Sequence, residues 1–535
     1  MAIAVVAGIV VTLAMPRGLQ SGDEGIKLAQ VQGLLQSRFT DAALYDRGSR
    51  YAVDRAHEWL TKAPGFTRVD PESGKVYGTY PLLYAVLAAP FYWIGGPFAV
   101  SGLSLVASAI ALVIVARLAR LCLDSELSSA AVVAVVAFGS PLILYGSLVF
   151  EHTCSVAALL GAIALVVPDS PSLRRLAVAG ALYGLATCFR TELYAFAPSM
   201  TLIVAWKVSL RPAAWRRWLA FGAGAAGVVG LFLVAHRLAT PYWHPALAAS
   251  QGAPPSVFRV RFVQLVPGEL YRYGSVAVLA TLAAAMLALA PGRAQRPLRL
   301  VLTLAATVGW GFLSAVAIRS VGDENVRTVI GLVTATPITA LALLRGVDER
   351  DRGKPIAILT VAAVLFAALI VLVPKRASAG GLEFGSRYML PIVPLLAIAA
   401  IDHARRHVVH GACAVALAGL GVWGLAVNLK AEHQLRTLGA HIVEAVEEAE
   451  ADAMFTPVWW VAQLAVPVQD RTCLFAGGGS TRVYDRLFDA GLVRVVSLRG
   501  APPKPTGRIR LRPSGQSRVH DRRLGPRLFE LYDPR

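Results

Sequence analysis

Apolar stretches of about 20 residues recur along this chain between short polar links, the length an α-helix needs to cross the hydrocarbon core of a bilayer. The first stretch ends near Met15. It has no basic leading region, and Pro16-Arg17 offers no small-residue cleavage pattern, so it reads as a first transmembrane helix rather than a signal peptide. Residues 16–80 then form a polar loop too long to be a mere link, and such loops in compact proteins are usually functional. Ser21-Gly22-Asp23-Glu24-Gly25 opens it, followed by an amphipathic run, Ile26 to Phe39, that predicts a helix through Gln36. Residues 82–95 are apolar but short and stop at Gly95-Gly96-Pro97, which predicts an interfacial or re-entrant helix. Longer stretches, among them 98–116 and 129–149, predict full spans.

Charge orders these spans. If 98–116 runs inward, then Arg174-Arg175, Lys207 to Arg217, Arg293 to Arg299, Arg345 to Lys354 and Arg405-Arg406 all fall inside, as the positive-inside rule asks. The same alternation puts Glu151-His152, Arg190-Thr191-Glu192 and Pro374 to Arg387 outside. The expected fold is an α-helical polytopic membrane domain over residues 1–428, with roughly thirteen spans, and a small C-terminal α/β domain over 429–535, placed outside. Its Gly477-Gly478-Gly479 run lacks G-x-G-x-x-G and a P-loop Lys, so a plain turn is expected there. The tail from Arg499 is rich in Arg and Pro and suits a solvated segment near anionic lipid.

Composition agrees. Of 535 residues, 56% are hydrophobic and only 16% charged, with mean hydropathy +0.57, too little polar surface for a water-soluble protein of this length. A net charge of +19 would suggest nucleic acid in a soluble protein; here cytoplasmic links and the basic tail account for it, and no nucleic-acid partner is expected. The five cysteines show neither CxxC nor paired spacing, so neither a metal site nor a disulfide framework is indicated.

The chemistry gathers on the expected outer face, where acids, histidines and cations mix: Asp23, Glu24, His57, Glu58, Lys75, Tyr80, Glu151, His152, Arg190, Glu192, His244 and Arg387. A carboxylate in a low-dielectric setting can act as a general base, and arginines beside it can hold a phosphate. Together they describe transfer of a group from a phosphate-linked lipid to a hydroxyl or amine. Each residue also has a plainer reading. Ser21 and Glu24 fit an S-x-x-E capping box, Glu151-His152 fits a helix N-terminus, Arg190 and Glu192 fit a local salt bridge, and Arg387 fits a snorkelling helix end. His57, Glu58 and Lys75 read as ordinary loop residues.

These residues carry a resemblance. The acidic pair Asp23-Glu24 after the first span, Tyr80-Pro81-Leu82-Leu83-Tyr84, the Gly184 to Glu192 segment and Phe384-Gly385-Ser386-Arg387-Tyr388-Met389-Leu390-Pro391-Ile392-Val393-Pro394 match short motifs. Over about residues 1–430 the chain resembles the GT-C superfamily of polytopic glycosyltransferases, in particular the bacterial relatives of protein mannosyltransferases and the lipid A aminoarabinose transferases. The resemblance implies a polyprenyl-phosphate sugar donor and an inverting transfer on the extracytoplasmic side of a bacterial inner membrane. The acceptor would be a glycan, lipid or protein. It further implies Asp23 as base or acceptor-binding carboxylate, with Glu24 and Glu151 as further acids. Arg387, Tyr388, Arg190, Tyr80, Lys75 and His152 would contact substrate. Tyr80-Pro81-Leu82 departs from the family's usual run, and the metal ligands of some relatives have no secure match, although His57, Glu58, His152 and His244 are candidates for a divalent cation. Three other readings compete. A transporter or flippase of lipid-linked sugars would place polar residues in mid-span; a polysaccharide ligase or polymerase would do without the first-loop acid; a scaffold would leave that acid without a task.

Overall fold

A computed structural model describes residues 2–51, 58–61, 67–208, 214–244, 296–320, 331–345, 354–372, 387–456, 458–476, 481–492, 494–498, 511–521 and 525–534. In chain order its helices are α1 (Ala2–Ala14), α2 (Gly22–Gln36), α3 (Glu58–Thr61), α4 (Leu82–Gly95), α5 (Ser101–Leu123), α6 (Glu126–Phe138) and α7 (Leu142–Gly146). There follow α8 (His152–Val166), α9 (Leu173–Phe189), α10 (Ala197–Val208), α11 (Trp215–Ala239), α12 (Arg296–Ser320), α13 (Leu332–Ala335) and α14 (Thr339–Leu344). The last are α15 (Pro355–Leu372), α16 (Val393–Ala404), α17 (Val408–Glu448), α18 (Trp459–Leu464) and α19 (Thr481–Asp489). Among the described residues, five helical segments are long and apolar enough to cross a membrane: 97–123, 215–239, 355–372, 387–404 and 408–448. Shorter apolar helices accompany them, including α1, α4, α6 and α8. The chain is an integral membrane protein; the expected span count draws partly on residues 245–295, outside the described ones.

Helix faces follow residue size. On α5, Ser101, Ser104, Ala107, Ser108 and Ala111 are buried at helical spacing, while Val106, Ile110 and Val113 stand exposed on the opposite, lipid-facing side. Where α9 crosses α11, Gly180 and Gly184 meet the backbone of Phe221 and Ala225, and no side chain would fit between the two helices. The expected span 129–149 is broken instead: α6 ends at Phe138, and Gly139-Ser140-Pro141 lead into the short α7. Pro141 has no N–H to continue the ladder, and the Ser140 hydroxyl bonds back to the Val136 carbonyl. The region stays buried, so the break lies inside protein rather than lipid. The stretch 82–95 is a short helix, as expected, closed by Gly96 at φ +72° before the chain turns into α5.

Helix α2 differs from its amphipathic expectation. Every residue from Glu24 to Leu34 is buried, polar ones included. Gln30 donates to the Tyr80 carbonyl (3.2 Å), and Gln32 donates to the Tyr92 hydroxyl (3.2 Å) and the Val466 carbonyl (3.5 Å). The face that would meet water on an interfacial helix is covered in part by the chain around Val466.

Helix α17, 41 residues long, runs unbroken through the composition change at 429 and reaches ~60 Å at about 1.5 Å per residue; a sheet follows it. This five-stranded sheet has the order β4-β3-β5-β7-β6. Strands β3 (Ala453–Thr456), β4 (Cys473–Ala476) and β5 (Val495–Leu498) are parallel, and the hairpin β6 (Leu511–Asp521) and β7 (Gly525–Pro534) joins antiparallel to β5. Strands β3 and β4 are buried at every position, as parallel strands covered on both faces require. In the first loop, β1 (Thr67–Val69) and β2 (Val76–Gly78) form a two-stranded hairpin. Gly477 to Gly479 lie outside the described residues.

Candidate active site

The first turn of α2 starts as the sequence suggests and then divides its two acids. Ser21 is the N-cap, its hydroxyl accepting the Glu24 N–H (3.5 Å), while Glu24 Oε2 accepts the Gln20 N–H (2.7 Å). Glu24 Oε1 accepts from the Val149 N–H (2.8 Å) and Arg436 Nη2 (3.4 Å). Arg436, on α17, also donates to the carbonyls of Ser147 (2.7 Å) and Gly18 (3.3 Å) and pairs with Glu432 (2.9 Å). Glu24 is fully buried, and these contacts tie α2, α17 and the chain before α8 together.

Asp23 faces elsewhere. Its Oδ2 accepts from Arg387 Nη1 at 3.0 Å, and the half-buried Tyr80 lies beside the same carboxylate. One helical turn on, Lys27 Nζ stands 2.6 Å from Glu151 Oε2, with the ring centroids of Phe150 at 3.8 Å and Tyr80 at 4.4 Å. Glu151 Oε1 accepts from Arg190 Nη1 (2.7 Å), and Arg190 forks onto Glu192 as well. The same Arg190 nitrogen lies 3.0 Å from His152 Nε2. Because a guanidinium only donates, Nε2 accepts, which places the imidazole proton on Nδ1. The Tyr388 ring lies near both guanidiniums, with its centroid 5.5 Å from that of Arg190 and 5.8 Å from that of Arg387.

Helix ends place these charges. Glu151 is the N-cap of α8, where the dipole favours an acid, and Arg190 is the C-cap of α9, where it favours a cation. Three cations, Lys27, Arg190 and Arg387, meet three carboxylates, Asp23, Glu151 and Glu192, and the sum is neutral. Neutrality is what lets such a cluster persist at low dielectric. Burial works against the Glu151 carboxylate, but Lys27 and then Arg190 outweigh it and hold its pKa at about 2. Burial pushes the Lys27 ammonium below its usual value, with Glu151 and Asp23 opposing.

The structure thus brings together Asp23, Glu151, Arg190, Arg387, Tyr388, Tyr80 and His152. Glu24 lies beside the cluster on its own backbone partners. Lys75 does not join: on the β1–β2 hairpin it pairs with Asp41 (2.6 Å), half-exposed. His244 lies near the Tyr194 hydroxyl (3.4 Å). His57 and the Glu58 side chain lie outside the described residues. Among the described residues no group of three His, Cys, Asp or Glu side chains could hold a metal ion. The His152 Nε2 is turned to Arg190. Sequence reasoning missed Lys27 and Arg436. The signal for Lys27 was its i, i+4 spacing from Asp23, which puts both on one helix face; Arg436, more than 400 positions from Glu24, left none.

The opposite ends of the same helices are built differently. Asp402 near the end of α16 takes Arg345 (2.8 Å), Arg406 (2.8 Å) and Arg405 (3.5 Å), and Arg405 also donates to the Leu123 carbonyl. Stacked beside them are His403 and His410, their centroids 4.2 Å apart. Lys207 meets Asp169 there (2.5 Å).

No family model matches the chain, and no curated protein matches it in sequence. Solved structures do match in fold. Two are of ArnT from Cupriavidus metallidurans, one bound to undecaprenyl phosphate and one in the apo state; each has a TM-score of 0.55 at 10% identity, covering 99% of this chain and 97% of that one. A weaker likeness, TM-score 0.47 at 10% identity over 93% of this chain and 69% of that one, is to the archaeal oligosaccharyltransferase AglB from Archaeoglobus fulgidus in complex with an inhibitory peptide and a dolichol-phosphate. The chain has the GT-C-like polytopic helical fold along nearly its whole length.

Proposed function

We propose that this chain is a membrane glycosyltransferase that moves a sugar from a polyprenyl-phosphate donor to an extracytoplasmic acceptor. The observation that carries the reading is the buried neutral cluster in which Asp23 meets Arg387 beside Lys27, Glu151 and Arg190. Asp23 takes the proton of the acceptor hydroxyl or amine as its oxygen or nitrogen bonds the anomeric carbon. The bond from that carbon to the phosphate oxygen breaks, and its electron pair leaves with the lipid phosphate. Arg387 and Arg190 stabilise the departing charge, as preorganised donors in a dry site do, and Lys27 adds a third cation. Attack opposite the leaving group inverts the sugar. The undecaprenyl phosphate held by one structure of like fold is a ligand of the class this site suits.

Asp402 with its three arginines lies at one end, which supports reading that end as cytoplasmic and the end with the balanced cluster as extracytoplasmic. A transporter would place ionisable groups in mid-span; Glu151, Arg190 and Asp402 sit at helix ends instead.

The test is transfer in proteoliposomes with a panel of radiolabelled polyprenyl-phosphate hexoses and pentoses, alongside binding of undecaprenyl phosphate. The reading expects one donor to be consumed, and Arg387→Gln to weaken lipid-phosphate binding at least tenfold. A wild type that binds the lipid and moves it across the bilayer without releasing sugar overturns the reading in favour of a flippase.

A further inference from the structure

The chain around α18 comes unusually close to the first turn of α2. Gly22 and Gly25 flank Asp23, and both press on Gln463 of α18. A methyl at Gly22 would collide with the Gln463 side-chain oxygen, and a methyl at Gly25 with the Gln463 main-chain carbonyl. Gln463 is completely buried. Its Nε2 donates to the Trp59 carbonyl in α3 (3.0 Å), while its Oε1 has no hydrogen-bond partner among the described residues. An apolar side chain of the same shape would avoid burying that unpaired carbonyl. Stability therefore does not account for the glutamine, and position does: it fills the space above Gly22 and ties the seat to α3.

We propose that Gln463 is a positioning residue of the transfer site, through which the C-terminal domain holds the Asp23 turn in register with Arg387. This rests on Asp23 being the acceptor-side carboxylate. Two contacts then hold the Asp23 turn, Arg387 through its charge and Gln463 through the backbone of Gly22 and Gly25. The C-terminal domain becomes a working part of the site rather than an appended module. Displacement of a reacting group by about 1 Å is enough to lose about a hundredfold in rate, so a seat of this kind acts on turnover more than on donor binding.

The experiment uses the full chain in nanodiscs, with three readouts: kcat on the donor that the wild type consumes, the Kd for undecaprenyl phosphate, and hydrogen exchange of the peptide covering residues 17–30. Gln463→Ala empties the seat. The expected result is a tenfold or greater loss of kcat, a Kd within threefold of wild type, and faster exchange confined to the α2 peptide. Gln463→Met refills the space without the amide and restores most of kcat. Gly22→Ala alone lowers kcat by displacing the amide, and adding Gln463→Ala to it recovers activity, since the new methyl occupies the vacated space. Wild-type kcat and exchange in Gln463→Ala overturn the proposal, as does a parallel fall of kcat, lipid binding and thermal stability in all variants, which marks a purely structural contact. The functional reading fails separately: full transfer by Asp23→Asn, or no donor consumed by wild type, removes Asp23 from the chemistry, and hydrogen exchange still decides whether Gln463 holds the turn.

Discussion

The two ends of this helical bundle carry ion clusters of opposite design. At one, three cations meet three carboxylates around α2, with an aromatic lining from Tyr80, Phe150 and Tyr388. At the other, a single carboxylate, Asp402, gathers Arg345, Arg405 and Arg406. An excess of arginine at a helix end serves membrane topology, and the acid there keeps one fully buried guanidinium, Arg345, from standing uncompensated. A balanced cluster serves no such purpose. Its acids and bases can exchange partners with a charged substrate at little net cost, whereas the arginine-rich end can only attract anions.

The sharpest way to break this contrast is to remove one charge from each end. Asp23→Asn keeps shape and removes the basic oxygen, and a loss of about 10²–10⁴ in transfer is expected, the range for a general base. The matching Asp402→Asn leaves kcat per folded molecule unchanged. Next comes Arg190→Lys, which keeps charge but loses the fork onto Glu151 and Glu192; a tenfold or greater loss of transfer is expected by the same assay. Glu151→Gln tests stability rather than rate. It leaves the Lys27 ammonium buried without its counter-charge, an effect of about 3–5 kcal/mol, read as a lowered thermal unfolding midpoint in detergent. The smallest effect belongs to Lys75→Ala. Its pair with Asp41 is exposed, so a stability change of about 0–1 kcal/mol and unaltered transfer are expected. A large loss of transfer there would extend the site to the β1–β2 hairpin.

Much of this was legible in the sequence because hydropathy and charge act locally. The apolar helices, the helix after Ser21 and the gathering of Glu151, Arg190 and Arg387 with Asp23 all follow from short-range pattern. The capping reading and the site reading of Asp23-Glu24 divide between the two residues: Glu24 satisfies backbone donors, and Asp23 is left for Arg387. What escaped was set by distant parts of the chain. The burial of α2 depends on residues more than 400 positions further on, as Gln32 with Val466 and Glu24 with Arg436 illustrate. The break after Phe138 was hidden because Gly139-Ser140-Pro141 sits in a run still apolar enough for a continuous span.

The most direct measurement is donor turnover by Asp23→Asn alongside its affinity for undecaprenyl phosphate. Bound lipid phosphate with transfer reduced at least a hundredfold is the predicted result, because Arg387, Arg190 and Lys27 remain to hold the phosphate while the proton acceptor is gone. Wild-type turnover by Asp23→Asn would contradict the account, reducing the Asp23–Arg387 pair to a structural tie between α2 and the helix that begins at Val393.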